Sequence, residues 1–150
     1  MSIFKLVAAT RAWQRLAKRN SNKKEEKLVP VKLENTYKTK PDDGKHFSPE
    51  KVERCLRNLL EAKLDNAKYS PERCRYMITD LSTIIKSRVK AMDFPRYKIV
   101  CHVIIMENLG QGTKVASRCL WDTTADSFAT CTYRNDSLVV VANVYAVYFE

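Results

Sequence analysis

"ASRCLWDTTADSFATCTYRNDSLVVV", residues 116–141, decides how the second half of this chain folds. Two cysteines, a tryptophan and three aspartates fall within it, the residue types of a metal or thiol site. The same letters also spell strands broken by turns, and the alternation favours that reading. Over 113–122, Val115, Ser117, Cys119 and Trp121 alternate with Lys114, Ala116, Arg118 and Leu120, a period of two that sends successive side chains to opposite faces of a sheet. "TTAD" and "ND" are turn signals. Asp122, Asp126 and Asp136 stand at or beside them, where short acceptors cap the backbone. The stretch therefore predicts strand, turn, a strand over 127–134, a tight turn and a strand over 137–149. Cys119 and Cys131 fall on adjacent strands, but no histidine in the stretch completes the four-ligand set that zinc takes. No metal or other cofactor is expected.

Working upstream, "YKIVCHVIIME" (97–107) is apolar on both faces, with Ile99, Cys101, Val103 and Ile105 opposing Val100, Ile104 and Met106. A strand of that kind is covered on both sides. "NLGQG" (108–112) is a turn. Before the strands, "FSPEKVERCLRNLLEAKL" and "YSPERCRYMITDLSTIIKSRVKAM" open alike. Ser48 and Ser70 suit the N-cap, Pro49 and Pro71 the first helical position, and Glu50 and Glu72 the positive end of the helix dipole. Val52, Cys55, Leu56, Leu59 and Leu60 share one helical face. Cys74, Met77, Ile78, Leu81, Ile85 and Met92 share another. The short connection predicts two antiparallel neighbouring helices, and Pro95 stops the second. The fold class is α+β, with two helices packed on a four-stranded antiparallel sheet.

Composition limits the functions available. At 150 residues this is one ordinary domain, with room for an additional tail. Three glycines leave little scope for a Gly-rich phosphate loop. Five scattered cysteines without a CxxC read as reduced thiols packed as small hydrophobes in a cytosolic protein. His46 and His102 are the two histidines; His102 neighbours Cys101 on a strand, so the pair points to opposite faces and cannot act together. No acid pair or triad is present, and no catalysis or small-molecule substrate is expected. No apolar run reaches the ~18 residues of a transmembrane helix.

The net charge of +10 is unevenly placed. Residues 1–27 hold eight Lys and Arg against two Glu, and the remainder nineteen against fifteen acids, so +6 of it belongs to the beginning of the chain. There Ile3, Leu6, Trp13, Leu16 and Ala17 can share a helical face opposite Arg11, Arg15, Lys18 and Arg19. Residues 1–45 are read as a basic amphipathic arm followed by a polar linker, with Trp13, Leu16 and Arg15 as docking residues for a partner or an anionic surface. A mitochondrial transit peptide has a similar composition, but nothing downstream suggests a matrix enzyme. The isoelectric point of about 9.5 raises the alternative of a basic nucleic-acid-binding α+β module. Against it, the strands show no run of exposed aromatics for base stacking.

Helix, helix and four strands, with "YSPE", "RYKIV", "ASRCLWD" and "NDSL" in that order, resemble the Tctex-type dynein light chains. The resemblance covers about residues 46–150, with "ENTY" (34–37) as an upstream echo, and the ending "ANVYAVYFE" looks more like the Tctex-domain-containing branch than the founding cytoplasmic member. It implies a strand-exchanged dimer, homotypic or formed with another Tctex-type light chain, in which the second strand crosses to the partner's sheet. It also implies that a segment of a dynein intermediate chain adds as a further strand. Carried over by position, Lys114, Val115, Ala116, Ser117, Arg118, Cys119, Leu120 and Trp121 form the exchanged strand at the dimer and groove. Trp121 is the expected anchor. Such a protein belongs to the cytoplasm and cytoskeleton, with a cilium or flagellar axoneme as the expected place.

Overall fold

A computed structural model describes Glu34, Asn35 and residues 37–149. Trp13, Arg15 and Leu16, with the expected arm helix, lie outside the described residues. Helix α1 runs Pro49–Leu64 and α2 Pro71–Lys90; strands β1 (Tyr97–Glu107), β2 (Ser127–Arg134) and β3 (Leu138–Tyr148) follow. Both helices start where the Ser-Pro-Glu signal put them. The capping detail differs: neither Ser48 nor Ser70 makes a side-chain cap hydrogen bond. Their backbone carbonyls instead accept the first helical bonds, from the Val52 and Cys74 amides at 3.2 and 2.8 Å.

The three strands form one sheet in the order β1-β3-β2, with β3 antiparallel to each neighbour. One face of it carries the helices. Val52, Leu56, Leu59, Leu60 and Leu64 of α1 are buried with Leu81, Ile85 and Val89 of α2 against Ile99, Val103, Ala129, Cys131, Leu138, Val140, Ala142 and Val144. Each such aliphatic side chain contributes roughly 1.5–3 kcal/mol relative to exposure. α1 rests chiefly on β2 and α2 on β1, and the helices touch each other less than they touch the sheet. At one end, Phe47 packs on Phe94 and Tyr97 with ring centroids 5.0 and 6.2 Å apart, and Tyr97 meets Tyr148 edge-on at 5.6 Å. Pro41, read from sequence as linker, is buried.

At the other end one side chain fastens the core. Asn135, in the β2–β3 turn, donates through Nδ2 to the Leu64 and Ala67 carbonyls, both at 3.0 Å. Its Oδ1 accepts the Ser137 and Leu138 amides at 2.9 and 2.8 Å. The turn thereby satisfies carbonyls left open where α1 ends, a place where buried acceptors otherwise lack partners.

The expected fourth strand is the main difference. Residues 111–122 hold no strand, and among the described residues the sheet has three strands. The physical reason lies in the connectivity. β1 and β2 both oppose β3, so they run parallel to each other at the two edges. The chain leaving β1 must return the whole length of the sheet before β2 begins. Over that return path residues 113–122 pair with neither edge of the sheet among the described residues.

Candidate functional site

The face away from the helices is built from alternate residues of each strand. By register it consists of cross-strand rows: Val100–Tyr145–Phe128, His102–Asn143–Thr130, Ile104–Val141–Thr132 and Met106–Val139–Arg134. An aromatic row is thus followed by a polar one and then by two mainly aliphatic ones. Val100 and Phe128 are 54% and 48% exposed, which for large apolar side chains on a sheet marks an uncovered surface. Among the described residues both β1 and β2 also present an unpaired backbone edge, a template for a further strand.

The return segment lies beside this face and is pinned at both ends. Near β1, the Asn108 amide donates to the Ser137 carbonyl at 3.0 Å and its Nδ2 to the Asn135 carbonyl at 2.7 Å; Arg134 donates to Asn108 Oδ1 at 2.9 Å. Near β2, Asp126 accepts the Tyr148 amide at 2.7 Å and the Asp122 amide at 3.2 Å. Asp122 caps its own turn, accepting the Thr124 amide and hydroxyl at 2.9 and 2.7 Å, which holds its carboxyl below the usual carboxylate range. Tyr97 donates its hydroxyl to the Ala125 carbonyl at 2.8 Å, and desolvation raises its pKa.

Between these posts the chain is unsupported. Residues 111–120 are all exposed, Leu120 at 96%, and among the described residues 112–121 make no hydrogen bond. Fully extended, residues 108–126 would span on the order of 60 Å, against roughly 35 Å for an eleven-residue strand. The segment therefore has slack to reach beyond its own sheet. Trp121 leaves the exposed run and packs on the aromatic row, 6.2 Å from the rings of both Phe128 and Tyr145. Thr113 and Val115 line a cavity of about 290 Å³ over the polar and aliphatic rows.

The sequence-derived residues are thus distributed unevenly. Val115 and Trp121 meet the face, while Lys114, Ala116, Ser117, Arg118, Cys119 and Leu120 stand out in solvent. Sequence reasoning missed Phe128, Asn143 and Tyr145. It looked for a run of aromatics along one strand, whereas the cluster draws one ring from each of three segments. Period-two counting in "SFATCTYR" and "VVVANVYAVY" would have put them on one face.

The chemistry available is that of adhesion. Cys101 lies on the core side, and burial pushes its thiol up to about 11; burial also raises the Cys131 thiol. Neither is a thiolate at neutral pH, so neither is an activated nucleophile. Cys101 and His102 do face opposite ways, as the alternation requires. Among the described residues no three His, Cys, Asp or Glu side chains converge as a metal site needs. No described helix is long and apolar enough to cross a membrane. Of the outward strand positions paired across the sheet, Lys98 and Arg134 are the charged ones, too few for the continuous positive surface that a phosphate backbone requires.

Comparison with known proteins gives a consistent result. The sequence model of the Tctex-1 family matches residues 46–147. The chain is 41% identical over 120 residues to dynein light chain Tctex-type 5-B of Xenopus laevis, covering 80% of this chain and 67% of that protein. It is 41% identical over 122 residues to human dynein light chain Tctex-type 5, covering 81% and 67% of the two chains. With human dynein light chain Tctex-type protein 2B the identity is 39% over 116 residues, covering 77% of this chain and 82% of the relative.

Proposed function

The chain belongs to the Tctex-1 family of dynein light chains, which are not enzymes, and from that premise we propose that it is a dimeric adaptor of a dynein complex. The domain, residues 46–150, exchanges residues 113–121 with a second Tctex-type light chain, identical or different. Each exchanged segment becomes the fourth strand of the other sheet. An extended segment of a dynein intermediate chain then adds along a remaining edge, where backbone hydrogen bonds supply affinity and side-chain pockets select sequence.

One observation carries this reading: among the described residues, an exposed, unbonded segment with strand alternation lies beside a sheet that has an apolar open face and two free edges. The two deficits answer each other when a second chain is present, and a two-fold arrangement satisfies both copies at once. The basic arm, through Trp13, Arg15 and Leu16, docks on a partner surface. The proposed place of action is the cytoskeleton, in a cilium or axoneme.

Light scattering of the purified chain at micromolar concentration is expected to give twice the chain mass, either alone or mixed with a second Tctex-type light chain. Pull-down with a dynein intermediate chain is expected to retain it, and deletion of residues 1–45 to leave the dimer intact while weakening arm-dependent capture. A chain that stays monomeric under both conditions and ignores the intermediate chain overturns the adaptor reading.

A further inference from the structure

Positive charge on the folded domain is concentrated on one helix. The three strands carry Lys98 and Arg134 against Glu107, and α1 holds four cations against three acids, whereas α2 holds five against two. All five are exposed, and among the described residues none enters an ion pair; the pairs present there join Lys38 and Lys45 to Asp42 and Arg57 to Glu53. At about 3.6 residues per turn, Arg75, Thr79, Ser82, Lys86 and Lys90 fall within about 80° of arc and form one stripe about 22 Å long. Glu72 precedes the stripe and Asp80 lies on another flank, so no acid interrupts it. The helix dipole accounts for Lys90, in the last turn; Arg75, near the positive end, gains nothing from it.

The stripe borders a second unmatched feature. α2 rests on β1. Burial raises the Cys101 thiol on the helix side of that strand, and the nearby Lys86 charge offsets part of the rise. β1 pairs with β3 along all eleven residues and, among the described residues, with nothing on its other side. A strand added there would turn alternate side chains to the helix layer and the rest to the outer face. On the helix side they meet cations. On the outer side they meet Val100, which is 54% exposed, and Ile104.

We propose that the β1 edge and the α2 stripe together form a docking site for an extended partner segment in which acidic and apolar residues alternate. Backbone pairing along β1 holds the segment. Arg75, Lys86 and Lys90 select acids on one side, and Val100 and Ile104 select apolar side chains on the other. The stripe is as long as about seven residues of extended chain. A polynucleotide fits less well, since it offers no backbone amides to pair with β1. The assignment goes beyond the adaptor reading and does not depend on strand exchange.

The test uses the full chain and a fluorescent peptide of about eight residues in which Glu and Val alternate, with binding read by anisotropy and thermal melts confirming that each variant folds. The wild-type chain is expected to bind this peptide more tightly than its Lys–Val counterpart. Reversing the stripe (Arg75→Glu, Lys86→Glu and Lys90→Glu together) is expected to weaken binding about tenfold. The same charge change on α1 (Lys51→Glu, Arg54→Glu and Lys63→Glu) is expected to weaken it by about twofold or less. A peptide N-methylated throughout, which cannot pair with a strand edge, should lose most of its affinity. Equal losses from the two triple variants, or undiminished binding of the methylated peptide, overturn the assignment. Tighter binding of a single-stranded oligonucleotide of equal charge overturns the class of partner.

Discussion

Replacing Asn135 by Asp tests the fastening at the end of the core. The change keeps the oxygen that accepts the Ser137 and Leu138 amides and removes the nitrogen that donates to the Leu64 and Ala67 carbonyls. Each lost hydrogen bond costs about 1 kcal/mol, and a carboxylate oxygen set against two carbonyl oxygens adds repulsion, so a loss of roughly 2–3 kcal/mol is expected. Asn135→Ala removes all four bonds and should cost roughly 3–5 kcal/mol. For a domain of this size each kcal/mol lowers Tm by about 3–6 °C. Urea unfolding monitored by far-UV circular dichroism, with the slope checked for constancy, reads both changes. An Asn135→Asp variant as stable as the wild type would refute the inference that the amide nitrogen ties the β2–β3 turn to the end of α1.

Trp121→Ala removes a half-buried indole from two aromatic neighbours and should lower stability by about 1–2 kcal/mol; sedimentation should also show weaker self-association, since the same ring anchors the segment. Asp126→Ala frees the amides of Tyr148 and Asp122, and hydrogen exchange at those two amides should quicken by roughly tenfold or more while the β1–β3 pairing away from that end stays protected. Iodoacetamide at neutral pH should label exposed Cys119 well before Cys101 and Cys131, whose thiols burial keeps protonated. The Cys101 pKa is raised on folding, so its contribution to stability is complete below about 9 and is lost as the pH climbs towards about 11. Unfolding midpoints measured across that alkaline window should fall, and a Cys101→Ala variant should fall less steeply.

Both helices and the three paired strands were legible because their signals are local. The Ser-Pro-Glu openings, a 3.6-residue apolar period and β-branched alternation all act within a few residues, and the helix starts and β1 and β2 coincide with what those signals predict. Leu64 and Val89 lie outside the predicted faces although both are fully buried; Leu64 is one turn beyond Leu60 and Val89 falls between Ile85 and Met92, so each continues the same 3.6-residue period. The expected fourth strand is not seen, for a different reason. Alternation in 113–122 states which way side chains would point, but a strand exists only with a hydrogen-bonding neighbour, and among the described residues this segment lies beside the outer face and pairs with neither sheet edge. The candidate site was half visible for the same cause: Trp121 and Val115 stood out as bulky residues on an alternating stripe, whereas the Tyr145–Phe128 and Asn143–Thr130 pairs depend on a register that no short window contains.

The position of β3 bears on how this protein is made. It is the middle strand of the sheet and follows both edge strands in the chain, so neither β1 nor β2 has a hydrogen-bonding neighbour until residues 138–148 have been synthesised. While the ribosome is still at work, the helices and β1 wait with an apolar surface open to chaperones and to other nascent chains. A stop codon anywhere before β3 removes the whole sheet rather than its last strand.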